Sequence, residues 1–306
     1  MEFSEFFGFL TILKESLQLL PKNKKLLALT SFIYFLISSI LFSILNFKLK
    51  FLTHDITLKV SILSISTSNS FKITKILADI KEDFQILLTL YVALVIILFF
   101  ISFLYAIATV ILSFISYNNT NISLKNFVLR IFKAFKYAII TGLYTKIFGI
   151  GYFFIILFLL SPLLISTSNI FLYSIGIFVG ILSFFFFQYL SVVWILALII
   201  SVVEENYYGI KAMAKAGSLI KGKRLNGFIL NVLFSIVSLL LYKSYLKMNI
   251  GAKGVINQTL VSLFLVIFSS LVNFLCLVAY TVLYFHCKKN HGEEVELQWD
   301  FEYSKV

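Results

Sequence analysis

Proline is nearly absent from this chain: Pro21 and Pro162 are the two in 306 residues. Charged side chains make up only 13% of it, against about a quarter in a soluble domain. With so few helix breakers and so little charge, the long apolar runs read as uninterrupted helices. Those runs are continuous and do not alternate, which excludes a membrane β-barrel. Arginine is scarce too, with only Arg130 and Arg224 among 26 basic residues. Surfaces that fork phosphates draw on arginine, so the formal charge of +12 does not point to nucleic acid. Cys276 and Cys287 lie eleven positions apart on one predicted helix and its exit, about 16 Å and too far for a disulfide. Histidine is limited to His54, His286 and His291, and the segment HCKKNH at 286–291 lacks the residues for a four-ligand metal site. No Ser/His/Asp arrangement, HExxH or phosphate loop occurs, so no catalytic residue, metal or cofactor is indicated.

What is present is apolar bulk. Hydrophobic residues make up 60% and aromatic residues 17%, with 35 Phe and a mean hydropathy of +0.99. Six segments are long enough to cross a bilayer: Leu26–Leu45, Ile86–Tyr105 or somewhat beyond, 147–165, Ile170–Val203, 228–241 with its flanks, and 260–285. The expected fold is all-α, a polytopic helical bundle. Its expected parts are a cytosolic amphipathic segment at 1–25, a six-helix transmembrane domain at 26–289 and an acidic cytosolic tail at 290–306. The fourth run, about 50 Å as a helix, reads as one tilted or protruding helix, with a broken pair as the alternative. The acidic start MEFSEFFGFL is unlike a basic signal peptide, so the first span is expected to act as its own insertion signal.

Lysine and arginine near the span ends set the orientation. Sixteen fall on the side of the N-terminus, the 117–137 and 204–224 connections and the tail; nine fall on the other side, six of them in a loop at 48–81. Both termini are therefore expected in the cytosol. Lys146 is left at the entrance of the third span. The sequons at Asn118 and Asn121 fall on the expected cytosolic side and that at Asn257 on the far side, so they give little support to glycosylation.

Each odd-numbered span is preceded by a stretch patterned as a cytosolic amphipathic helix. In the first, Phe3, Phe6, Phe7, Leu10, Leu13 and Leu17 recur at helical spacing. In the second, Leu124, Val128, Ile131, Phe132 and Phe135 oppose Lys125, Arg130, Lys133 and Lys136, a face suited to the headgroup region. The third, YYGIKAMAKAGSLIKGKR at 207–224, differs in kind. Lys211, Lys215, Ser218 and Gly222 line one face, and Gly209, Ala212, Met213, Ala216 and Ile220 line the other. Small side chains permit close backbone approach, which predicts that this helix docks on the bundle. An ordinary connector with a solvated basic face is the alternative.

At these residues the chain resembles a large plant family of uncharacterised multi-pass membrane proteins. Val203, Glu205, Tyr208 to Ile210, Ala212, Met213 and Leu219 to Arg224 (with Gly222 and Lys223 among them) carry the resemblance. Gly8 to Ser16, Val192 to Trp194 and Thr281 to Lys289 support it. A looser skeleton through Glu205, Gly209, Ala212, Leu219 and Gly222 is similar to the membrane domain attached to some bacterial glycerophosphodiester phosphodiesterases. That pattern usually has Ser where Ala216 stands, and nothing here resembles the phosphodiesterase barrel. The resemblance implies a six-helix endomembrane protein, of the endoplasmic reticulum before the plasma membrane, with no catalytic residue to carry over.

Few polar residues fall within the spans: Gln188, Asn231 and Asn273, with the Glu204–Glu205 pair at a span end. Such residues are read first as interhelical hydrogen-bonding pairs, with Glu204 or Glu205 paired to lysines of the following helix. Scarce intramembrane charge and an elaborated cytosolic face point to a non-enzymatic scaffold, adaptor or membrane-organising factor. Its expected partners are lipids with anionic headgroups, and a protein on the cytosolic face, engaged through the basic helices and the acidic tail (Glu293, Glu294, Glu296, Asp300, Glu302). A transporter or channel for a lipid or other apolar small molecule is the alternative, and an integral-membrane enzyme has least support.

Overall fold

The computed structural model describes residues 8–19, 21–65, 70–120, 122–165, 170–204, 206–251 and 255–293. Phe3, Phe6, Phe7, Asn121, Glu205, Glu294, Glu296, Asp300 and Glu302 lie outside the described residues. Eight helices form among the described ones: α1 Gly8–Leu19, α2 Lys24–Ile65, α3 Ser70–Tyr117, α4 Leu124–Ile165, α5 Ile170–Val203, α6 Ile210–Leu219, α7 Arg224–Gly251 and α8 Val255–Asn290. No strand occurs among those residues. Six helices (α2 to α5, α7 and α8) are long and apolar enough to cross a membrane. The protein is an all-α, multi-pass membrane protein.

The run Ile170–Val203 is a single helix. Two other stretches differ from expectation. Residues 48–81 are not a simple loop, because α2 continues to Ile65 and α3 begins at Ser70. No proline or glycine interrupts the stretch, and the i,i+4 pair Asp55–Lys59 (2.9 Å) adds local support. Residues 124–135 likewise do not form a separate helix, since α4 runs through them unbroken to Ile165. At about 1.5 Å per residue its 42 residues span about 63 Å, roughly twice a bilayer core.

The chain divides into two compact units, residues 1–28, 106–239 and 272–306 in one, and 29–105 with 240–271 in the other. In the second unit Tyr34 stacks on Tyr105 (centroids 4.0 Å apart), Tyr34 meets Ser102 at 3.3 Å, and Lys59 pairs with both Asp55 and Asp83. Phe32, Phe47 and Phe51 stay exposed there.

The first unit shows two regimes along its helices. From 143 to 159 on α4 and from 171 to 187 on α5, large apolar side chains face outward, Phe158 at 78% exposure. Water would not tolerate that surface; lipid does. Tyr152 of α4 donates to the Ser183 carbonyl of α5 at 2.7 Å within this belt, and Lys146 is exposed near its start. Beyond the belt the helices pack densely. Ile107, Val110 and Ile115 of α3, Leu196 and Ile200 of α5, Leu230 of α7 and Tyr280 of α8 are each fully buried.

This packed end also receives α1. Ile12, Ser16 and Leu19 face inward while Leu10 and Leu17 stay exposed. Glu15 meets His286 of α8 at 2.7 Å, and Gly8 approaches Asn226 so closely that a Cβ would lie 2.7 Å from its Nδ2. At the start of α4, Leu124, Val128 and Phe132 point outward and Phe127, Ala134 and Ala138 inward. Arg130 does not share the outward lysine face: it lines a cavity of about 20 Å³ with Ile111, Phe114, Ala134, Val202 and Val203.

Candidate functional site

The apolar run of α5 ends at Val203, and the first charge after it, Glu204, is still within the packed end, with 6% of its surface exposed. A carboxylate at a helix C-terminus faces the negative end of the macrodipole and has lost water, so it needs partners. It has three. Lys215 Nζ donates to Glu204 Oε2 at 2.6 Å, the Tyr284 hydroxyl donates to Oε1 at 2.7 Å, and Lys288 Nζ lies 3.3 Å from Oε1. Glu293 stands at 3.7 Å from Lys215 and 3.9 Å from Lys288 and balances the second lysine. Burial alone would raise the Glu204 carboxyl. The bonds from Lys215 and Tyr284 and the charges of Lys288 and Lys215 outweigh it and hold the group below its usual value.

This cluster sits at the edge of α6, which packs on α5 and α4. Ala212 and Ala216 are fully buried and Leu219 and Ile220 nearly so, while Lys211 and Ser218 are exposed. Gly209 begins the helix with φ +58°, its N–H donating to Thr141 Oγ1 of α4 at 2.8 Å. A Cβ there would also lie 3.2 Å from the Tyr144 ring. Both the positive φ and the close approach call for glycine. Tyr207 lies under Lys215, whose Nζ is 4.1 Å from the ring centroid, and His291 Nε2 donates to the Leu219 carbonyl at 3.0 Å. The motif helix is therefore clamped at both ends and along its small-residue face.

The family model for DUF8558, a domain of unknown function, matches residues 2–299. The chain belongs to the DUF8558 family. No curated protein and no solved structure matches it.

In this DUF8558 member most of the sequence-predicted residues converge on the α6 region. Gly209, Ala212, Ala216 and Leu219 form the contact face, and Gly222 (φ +91°), Lys223 and Arg224 make the turn into α7. Arg224 is exposed, its guanidinium 5.9 Å from the Tyr189 ring. Glu204 is the acidic residue placed against Lys215, and that lysine is only partly solvated.

The intramembrane residues do not all converge. Asn231 Nδ2 donates to the Gln188 side-chain oxygen at 2.6 Å and to its carbonyl at 3.0 Å, with Ser235 adding a bond at 3.3 Å. Asn273 is exposed on α8 and takes no part. Of the HCKKNH segment, His286 holds Glu15, Cys287 is buried, and His291 caps α6.

Three contributors were not singled out from the sequence. Tyr284 and Lys288 belong to the last helix, and their signal was only that a lysine and a tyrosine stood one turn apart at its exit. Gly227 lets α7 approach its neighbours: a Cβ there would lie 2.7 Å from Val192 and 3.3 Å from Leu283.

Proposed function

We propose that this DUF8558 member is a non-enzymatic membrane-organising scaffold that presents a rigid basic surface to anionic lipid headgroups. The observation that carries the reading is the clamped α6: Glu204, Lys215, Tyr284 and Lys288 fix its inner side, leaving Lys211 and Lys221 exposed with Arg224. Lys14, Lys22, Lys24, Lys25, Lys125 and Lys136 are exposed on the same unit. Leu10, Leu17, Leu124 and Phe132 are exposed among them, and this mixture of basic and apolar groups suits a headgroup boundary better than bulk water. By the lysine bias that face is cytosolic, where anionic lipids are found. An acidic protein bound on the same face is compatible with this reading. The family resemblance favours an endomembrane, the endoplasmic reticulum first.

The transport alternative calls for an open polar path. Against it, Gln188 and Asn231 spend their polar groups on each other. Spin-labelled phosphatidylserine and phosphatidylcholine in proteoliposomes test the first reading. Selective immobilisation of the serine lipid is expected, reduced by Lys211→Gln with Lys221→Gln and Lys125→Gln. Equal immobilisation of both lipids would overturn it. Protein-dependent flipping of fluorescent lipid in the same vesicles, abolished by Asn231→Leu, would establish the alternative instead.

A further inference from the structure

The outer turns of α4 carry an apolar row edged by lysine. Leu124, Val128 and Phe132 recur at i, i+4 and i+8 and are 54%, 39% and 67% exposed. Lys125 and Lys136 stand beside that row, with Leu129 exposed between them. The opposite side of the helix is committed inward through Phe127, Ala134 and Ala138. Ser123 caps the free end, its Oγ accepting from the Asn126 N–H at 3.4 Å. The outward face is thus held in helical form by its own unit.

Height above the lipid decides what can reach this face. A helix lying in the headgroup plane must turn sharply away from its span. No such break occurs in α4, which passes through Gly142 and on to Ile165 as one helix. Counted from Leu143, where the outward apolar belt starts, Phe132 stands about 16 Å and Leu124 about 28 Å along the axis. A tilt of about 20° shortens these distances by only ~6%. The headgroup layer is about 5–8 Å deep on each side. Phe132 therefore sits at the outer edge of the headgroups, and Leu124, Lys125 and Val128 rise beyond it. By the lysine bias this is the cytosolic side.

Charge then selects the occupant. No aspartate or glutamate occurs between Asp83 and Glu204, so α4 presents cations alone. A second copy of the same face would set Lys125 and Lys136 against like charges, which opposes association. An amphipathic helix with acidic flanks satisfies both the apolar row and the lysines.

We propose that the outer turns of α4, Leu124 to Lys136, dock an acidic amphipathic helix of a partner protein. Its apolar stripe lies along Leu124, Val128 and Phe132, and its carboxylates face Lys125 and Lys136. Those two lysines are about 16 Å apart along the axis, so the bound helix needs about three turns.

The inference goes beyond the lipid-organising reading, whose α6 lysines it leaves in place, and its binding assay uses neutral lipid. Full-length protein in phosphatidylcholine nanodiscs is titrated into a fluorescent synthetic helix about four turns long, with a leucine stripe flanked by glutamate. Empty nanodiscs give the blank. Saturable binding is expected, weakened about tenfold or more by Lys125→Glu with Lys136→Glu. A peptide carrying lysine in place of glutamate should bind that variant and not the wild type, which also shows that the variant is folded. Leu124→Ser with Phe132→Ser should weaken binding of the acidic peptide comparably. No saturable binding, binding indifferent to the lysine exchange, or a loss that the exchanged peptide does not recover would each overturn the proposal. The membrane alternative is read separately, from a spin label at Leu129→Cys in a protein whose Cys276 and Cys287 have been replaced. In nanodiscs containing phosphatidylserine, the label should collide with a water-soluble nickel chelate more than with oxygen. Preference for oxygen would place this face in lipid and overturn the protein partner.

Discussion

Lys215 reaches back eleven residues to place its Nζ 2.6 Å from Glu204, joining α6 to the end of α5. The pair converts a liability into a fastening. Alone, Glu204 would be a buried anion at the negative end of a helix; with Lys215, Lys288 and Tyr284 it ties α5, α6 and α8 together. The hinge between a span and its following helix is thereby held in one geometry.

Size on the inner face of α6 should matter more than charge at its exposed tip. Ala212→Leu with Ala216→Leu inserts six heavy atoms where both residues are fully buried. A loss of about 1–3 kcal/mol or more is expected, read as a lower melting temperature in neutral detergent. Lys211→Gln should melt as wild type does. Lys215→Gln should not, because it removes one of the two cations at Glu204. Equal melting of the two glutamine variants would deny the ion pair its structural part.

Gly227 supplies an independent check on packing. Its missing Cβ lets α7 approach Val192 of α5 and Leu283 of α8. Gly227→Leu should cost about 1–3 kcal/mol in the same assay, whereas Gly217→Ala, where a Cβ meets nothing within 4 Å, should be neutral or slightly stabilising. Tolerance at position 227 would mean that the three helices do not meet there.

The helices and their docking were legible in the sequence to different degrees. Long apolar runs marked all six spans, with Pro162 near the end of the third as their one proline, and the Gly/Ala row at 209–220 announced which face of α6 would be buried. The helical extensions at 48–81 were not legible. Interspersed lysines lower the hydropathy there, yet no proline or glycine interrupts it, and helix runs to Ile65 and again from Ser70. Arg130 also escaped, because helical periodicity assigns a charge to the solvated face and ignores a long side chain folding back into a cavity. Two of the three partners of Glu204, Tyr284 and Lys288, come from positions 80 and 84 residues away, a separation that local patterning does not register.

The lysine asymmetry predicts opposite sides for two exposed positions, Lys211 on α6 and Lys75 near the start of α3. Single cysteines there, in a protein whose Cys276 and Cys287 have been replaced, should react with an impermeant maleimide from opposite faces of sealed vesicles. Lys211→Cys is expected to label from the cytosolic face. Labelling of both from one face would remove the six-span topology.

Acid should loosen the Glu204 fastening, and the sign follows from its partners. The folded carboxyl is held below its ordinary value of 4.5, so its contribution is complete above that value and lost as pH falls through the lower, folded one. Lys215 behaves oppositely. Burial lowers it, but the bond to Glu204 and the nearby negative charges leave it raised above 10.5, so its contribution persists below 10.5 and fades only at higher pH. Between those limits the pair should be insensitive to pH. Glu204→Gln keeps the side chain's size and removes the charge, leaving two lysines without their shared anion. At neutral pH it should lower stability by about 1–3 kcal/mol, measured by thermal melting in neutral detergent. The decisive quantity is the difference between wild type and variant across pH, which cancels the other carboxylates. That difference should hold steady from pH 10 down to about pH 5 and shrink as the pH falls further, through the lowered folded value of the carboxyl. A difference that stays constant into acid would show that the glutamine disturbs packing and that the ionised carboxylate contributes nothing of its own.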